Sequence, residues 1–97
     1  MKPLILLSPA ERELADAAFF YEGRSPGLGG RFLDAFDRAR ADIAEHPARW
    51  PELRAGIRRR LLTGFPYGML YREDEDRIIV VAIMHLHQRP EYWVDRL

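Results

Sequence analysis

The sequence predicts a small α+β domain: an antiparallel sheet with an αα-hairpin packed on one face, in the order β-α-α-β-β-β, closed by a short C-terminal tail. Three observations predict it. Two stretches with apolar residues at helical spacing are separated only by the turn-forming Gly23 to Gly30. From Ile57 onward the apolar period shifts toward two, the signature of strands. The longest unbroken apolar run, within Arg77 to His87, comes last and reads as a central strand apolar on both faces. At 97 residues the chain has room for one core, so residues 1–97 form a single domain.

Composition narrows the function classes. The formal net charge is zero, so no global field draws the chain to nucleic acid or to an anionic membrane, and direct DNA binding is not expected. There is no cysteine, which excludes a disulfide scaffold and cysteine-type zinc sites. The N-terminal MKPLILLSPAERE has a short apolar run without a signal-peptide h-region or cleavage site. No stretch approaches the roughly 20 apolar residues of a membrane span. The cytoplasm is the expected compartment, and no cofactor or metal is expected.

Pro3 to Leu7 is long enough for one strand and too short for a helix. Ser8-Pro9-Ala10-Glu11 follows, with the spacing of a capping box: Ser as N-cap, Pro at the first helical position and Glu three residues after the cap. A helix is expected from Pro9, with Ala10, Leu14, Ala17 and Tyr21 on one face and Ala18 adjoining. The small alanines imply close packing against that face. Gly23 to Gly30, with four glycines and a proline, is a turn between helices. It lacks the GxxxxGK[ST] spacing of a phosphate loop and follows a helix, where a dinucleotide fingerprint needs a strand. Leu28, Phe32, Ala35, Phe36, Ala39 and Ile43 then form the stripe of a second helix. It ends at His46, because Pro47 pushes the preceding residue out of the helical region. His46 is favourably placed there by the helix dipole.

Pro47 to Gly56 is expected to be a loop pinned by Pro47 and Pro51 and anchored by Trp50. Ile57 to Thr63 is a strand with much positive charge, and Gly64-Phe65-Pro66 a turn. Tyr67 to Arg72 is a strand with Tyr67, Met69 and Tyr71 on one face. Glu73 to Asp76 is a solvated hairpin turn without metal-loop spacing. In the last strand, Ile78, Val80, Ala82, Met84 and Leu86 are expected on one face. Ile79, Val81, Ile83, His85 and His87 are expected on the other. The helix hairpin covers only one of these faces. The other needs a terminal segment, the Trp50 loop or another chain, and this surplus points to a partner.

Five arginines and no acidic residue lie between Arg54 and Arg72, a basic stripe in a neutral chain. Such a strand blocks unwanted strand pairing or meets an acidic partner. His85 reads as a hydrogen-bonded histidine at the sheet end. With His87 it has metal-compatible spacing but no third ligand. Tyr92 and Trp93 either pack the tail across the sheet or form an interface, where such residues are enriched.

Taken together, the chain resembles the RelE/ParE superfamily of bacterial type II toxin–antitoxin toxins, in its ParE-like, plasmid-stabilisation branch. The residues that carry this run through the chain in order. They are Ser8-Pro9-Ala10, Glu13-Leu14 and Phe20-Tyr21-Glu22, then Pro26-Gly27-Leu28-Gly29 with Arg31-Phe32-Leu33. Pro47 and Trp50-Pro51 come next, then Ile57-Arg58-Arg59, Leu61-Leu62, Phe65-Pro66-Tyr67 and Tyr71. Ala82-Ile83-Met84-His85, Arg89-Pro90, Tyr92-Trp93 and Arg96 close the set. No one of these is diagnostic; their order and spacing are.

The resemblance implies a β-α-α-β-β-β fold and a small cognate antitoxin in a hetero-oligomer. It leaves two activities, inhibition of DNA gyrase in the ParE manner or cleavage of mRNA on the ribosome in the RelE manner. A third state is an inactive member that serves only as a binding module. The expected surface for target or antitoxin comprises Arg58, Arg59, Arg60, Arg72, Ile79, Val81, Ile83, Arg89, Tyr92, Trp93 and Arg96. Metal-independent RNA cleavage through the 2′-hydroxyl needs a base, an acid and cations to stabilise the phosphorane. The candidates are His85, His87, Arg89 and Tyr92, with Arg58 and Arg60 as phosphate clamps. The set lacks a clear carboxylate base, which favours gyrase binding over catalysis.

Overall fold

A computed structural model describes residues 1–97. Strand β1 (Leu4–Leu6) leads directly into helix α1 (Ser8–Arg24), and α2 (Leu28–Glu45) returns antiparallel to it. Four strands follow: β2 (Glu52–Arg54), β3 (Ile57–Leu61), β4 (Tyr67–Glu73) and β5 (Ile78–His85), and a short 3-10 turn (Val94–Arg96) closes the chain. The sheet order is β1-β5-β4-β3-β2, with the helix hairpin on one face.

The sheet is mixed, not antiparallel as expected: β1 pairs parallel with β5, Leu4 against Ile78 and Leu6 against Val80. The cause is β2, a strand in the stretch read as a loop. It pairs antiparallel with β3, which adds one reversal of direction to the meander and brings β5 out parallel to β1. Its three residues are all exposed and show no alternation, so no periodicity marks it.

Helix α1 begins differently from the capping-box expectation. Leu7 is the N-cap and no side chain caps the helix. The Leu7 N–H still donates to Val80 O at 3.0 Å while its carbonyl accepts the Glu11 N–H. The chain thus passes from sheet to helix without a free residue, and Ser8 falls inside the first turn. The cap of α2 comes from across the turn. The Glu22 carboxylate accepts the Gly27 and Gly29 N–H groups at 3.1 Å, satisfying orphan donors of the helix start. Gly27 stands at φ +88°, which favours glycine, and Gly29 packs where a Cβ would lie 2.6 Å from the Ala18 carbonyl.

The helix-side core is formed by Ala10, Ala17, Phe32, Phe36, Ala39 and Ile43 on Met69, Tyr71, Ile78, Val80 and Ile83. Tyr21, Phe32, Phe65 and Tyr67 form an aromatic cluster with centroids 5.0–6.2 Å apart. The expected alternation along β5 breaks inside the strand. Leu70 faces Ala82 but Tyr71 faces Val80, leaving Val81 as an extra residue in a β-bulge. Ile83 therefore shares the helix side with Ile78 and Val80, while Val81, Ala82 and Met84 face the other way. β5 also ends at His85, whose partner Tyr67 is the first residue of β4, so Leu86 and His87 have no ladder to join. β3 likewise ends at Leu61 rather than Thr63.

The surplus apolar face is covered by the chain itself. Trp93, 2% exposed, packs on Ile57, Leu70, Val81, Ala82 and Met84 to make a second, smaller core. An uncovered face therefore does not point to a partner. Ile79, Val81, Ile83 and Trp93, expected on a binding surface, are buried in this closed fold.

Candidate partner-binding surface and the residues around it

Because β1 is only three residues long, the edge of β5 beyond Val80 has no strand beside it. A cluster of side chains seals that edge. Glu13, on the face of α1 that passes it, accepts the Ile83 N–H at 3.0 Å. Arg96 donates to the Val81 carbonyl at 3.1 Å and, through Nη1 and Nη2, to both Glu13 carboxylate oxygens at 2.8 Å. The Tyr92 hydroxyl donates to Glu13 at 2.6 Å, and the Arg96 guanidinium lies 5.0 Å from the Tyr92 ring centroid. Burial, and then the hydrogen bond to Glu13, push the Tyr92 phenol well above its usual value. The hydrogen bonds that Arg96 itself donates to Glu13 push its guanidinium up. This cluster satisfies two ladder groups that would otherwise be orphaned and holds the tail so that Trp93 stays seated.

The arginine stripe divides by strand parity. Arg58 and Arg60 oppose Tyr71 and Met69 and lie on the helix side; Arg59 opposes Leu70 on the other. Arg58 donates to the Trp50 carbonyl at 2.7 Å and lies 3.8 Å from Glu52. Arg60 pairs with Asp42 of α2 at 2.6 Å and stacks over Trp50, leaving its buried Nε unpartnered. Arg54 pairs with Glu91 and Arg72 with Asp74. Arg59 has no carboxylate partner.

Two concavities flank the end of β5. On the α1 side a shallow hollow of about 220 Å³ is lined by Glu13, Asp16, Phe20, Tyr67 and His85. The His85 Nδ1 accepts the His87 N–H at 3.0 Å, which leaves its proton on Nε2, and its ring stands edge-on to Tyr67 at 5.0 Å. On the opposite sheet face a cleft of about 350 Å³ lies between β2, β3 and the tail, with Leu53, Arg59, Met84, Leu86 and Trp93 in its walls. The acid–base candidate His85 and the free cation Arg59 thus sit in different concavities. Arg89 is exposed on the turn before the tail and lines neither. Tyr92 is committed to Glu13. Of the residues expected to act on RNA, His85 and His87 stand side by side with ring centroids 5.3 Å apart, but the expected clamps Arg58 and Arg60 are taken up by Trp50, Glu52 and Asp42, and Arg89 stands apart.

Residues 4–90 match the family model described as ParE toxin of type II toxin-antitoxin system, parDE. The chain belongs to the ParE toxin family. Among solved structures, a chain of the chromosomal ParDE TA system from P. aeruginosa is similar, with a TM-score of 0.66 and 18% identity over 90% of this chain and 98% of that one. At that identity the likeness is one of fold. No curated protein matches. The fold read from the sequence is therefore that of a ParE toxin, and no helix is long and apolar enough to cross a membrane.

Two residues of this ParE-family chain acquire roles the sequence reading did not assign. Glu13 and Glu22 both belong to the motif runs that carry the resemblance, and the structure gives each a defined role. A signal was present for Glu22: an acidic residue a few positions before a glycine-rich helix start with no Ser, Thr, Asp or Asn to cap it. For Glu13 the signal was weaker, a short first strand followed by a longer last one, which leaves an edge that something must satisfy.

Proposed function

We propose that this ParE-family toxin arrests growth by binding a macromolecular target, DNA gyrase, and that a cognate antitoxin neutralises it in a hetero-oligomeric complex. The observation that supports a binding role most strongly is the separation of His85 from Arg59. Cleavage through a 2′-hydroxyl needs proton transfer and cationic stabilisation on one phosphate. The hollow that holds His85 is lined by the carboxylates of Glu13 and Asp16 and by no arginine, and Arg96, which pairs with Glu13, is already committed to it. The cleft that holds Arg59 contains no histidine. Family membership supports the proposal of gyrase as target and of an antitoxin as partner. The similar solved chain belongs to a ParDE system.

Expressed alone in a bacterial host, the chain is expected to arrest growth while translated mRNA stays intact, and the purified protein to inhibit gyrase supercoiling. Codon-positioned cuts in a translating extract, lost on His85→Ala or Arg89→Ala, would overturn the binding mechanism in favour of ribonuclease activity. Unimpaired growth would leave the chain as a binding module only.

A further inference from the structure

We infer that the cleft opposite the helices receives a segment of the antitoxin that carries a bulky apolar side chain next to a carboxylate, and that Arg59 is the residue that recognises the carboxylate. This rests on the toxin–antitoxin reading and adds to it a place and a chemistry. Four of the five arginines from Arg54 to Arg72 are paired with acidic residues; Arg59 is not. It is nonetheless held in place. A Cβ added at Gly68, diagonally across the β3–β4 pair, would lie 3.0 Å from both Cγ and Cδ of Arg59. The arginine stem therefore lies flat on bare glycine backbone. A glycine inside a strand weakens it and commonly marks a close approach of another group. Here that group is a cationic side chain whose charged end is left without a partner.

The walls specify the rest of the ligand. Leu53 on β2 and Leu86 after β5 are 43% and 40% exposed, and both line this cleft with Met84 and Trp93. At the rim, Arg54 and Glu91 pair at 3.0 Å and cancel, so Arg59 supplies the cleft's net charge. One uncompensated cation among apolar walls suits a carboxylate beside an aliphatic or aromatic side chain. It does not suit a nucleic-acid strand, whose affinity is built from several phosphate contacts.

The test uses the full chain and the antitoxin encoded by the adjacent reading frame, with dissociation constants measured for wild type, Arg59→Glu, Arg59→Gln and Gly68→Ala. Arg38→Glu, an exposed charge on α2 far from the cleft walls, is the control. Arg59→Glu is expected to weaken binding about 30-fold or more, as loss of one desolvated charge contact does. Arg59→Gln should weaken it less and Arg38→Glu by under about twofold. Gly68→Ala should weaken binding with no change of charge, because it displaces the arginine stem. Reversing the contacting antitoxin carboxylate to arginine should restore binding to Arg59→Glu. If Arg59→Glu unfolds, Arg59→Gln and Gly68→Ala still decide the matter. Wild-type affinity in all three cleft variants would overturn the cleft while leaving the toxin reading intact. Wild-type protein that neither binds the antitoxin nor arrests growth would overturn the toxin reading and the cleft with it. Loss of affinity for a short single-stranded RNA, with antitoxin binding unchanged, would overturn the assignment in favour of a nucleic-acid site.

Discussion

Replacing Glu13 by alanine tests whether the sealed edge of β5 holds the tail in place. Glu13 accepts four hydrogen bonds, from the Ile83 N–H, the Tyr92 hydroxyl and both Nη atoms of Arg96. Its side chain and that of Arg96 are 21% and 18% exposed, so the pair is largely but not fully withdrawn from water. Breaking a buried pair by removing one partner costs about 3–5 kcal/mol. Partial access of water to Arg96 lowers that, while the orphaned Ile83 N–H adds about 1 kcal/mol or more. The expected loss for Glu13→Ala is therefore about 2–4 kcal/mol, a large share of the 5–15 kcal/mol typical of a folded domain. Glu13→Gln keeps the size and one acceptor but loses the charge, and should fall about halfway between. Lys2→Ala is the control, because the Lys2–Glu73 pair has a third of each side chain exposed and should contribute no more than about 1 kcal/mol. Urea denaturation followed by tryptophan fluorescence gives the stabilities, and amide exchange gives the protection of Val81 to Ile83 and of the tail. A loss under about 1 kcal/mol for Glu13→Ala, with exchange at Ile83 unchanged, would refute the claim that this carboxylate replaces a missing strand.

Three further outcomes are expected. Trp93→Ala should destabilise by about 3–5 kcal/mol and raise exchange throughout the tail, since it empties the centre of the smaller core; this is read by denaturant midpoint and exchange mass spectrometry. Gly29→Ala should cost about 1–3 kcal/mol, because its Cβ meets the Ala18 carbonyl at 2.6 Å, whereas Gly30→Ala, with open space around it, should be neutral or slightly stabilising; thermal melts of the two compare them. Burial pushes the Tyr71 phenol up to about 12 from 10. The native state thus favours the neutral phenol, so this stability is whole below pH 10 and lost between pH 10 and 12, at about 1.4 kcal/mol per pH unit. Tyr71→Phe should flatten the alkaline limb of the stability curve by one proton's worth, measured by urea unfolding across that range.

How much of this was legible in the sequence depends on the range of the interaction that decides each feature. Helix faces were legible because Ala10, Ala17, Phe32, Phe36 and Ile43 repeat at helical spacing, and they are buried as that spacing requires. The meander was legible from its period of two and its turn residues. The parallel pairing of β1 was not, because it depends on the parity of reversals, and β2 is too short and too exposed to announce itself. The capping box failed for a related reason. Its local chemistry was sound, but the Leu7 carbonyl accepts the Glu11 N–H that the Ser8 side chain was expected to cap, so the helix begins one residue earlier.

The site illustrates the same limit more sharply. Arg58, Arg59 and Arg60 are indistinguishable by type and adjacent in sequence, and a basic stripe is all that their composition supports. Strand parity separates them. The two that face the helices meet Trp50 and Asp42 and become structural, while the one between them turns to the other face, where the carboxylate of Glu91 is already taken by Arg54. Gly68 then distinguishes Arg59 a second time, since a larger residue there would crowd its stem. The His85 pair fails in the opposite sense. The Val81 bulge turns Ile83, and His85 after it, toward the helices and away from the face where Arg59 lies. The bulge in β5 thereby keeps the histidine apart from the free arginine, whereas strict alternation from Val80 through these same residues would carry the two on one face. Deleting Val81 would restore plain alternation and still leave His85 toward the helices, because Ala82, Ile83, Met84 and His85 already alternate among themselves; it is the doubled step at Val81 and Ala82 that sets on which face each later side chain falls.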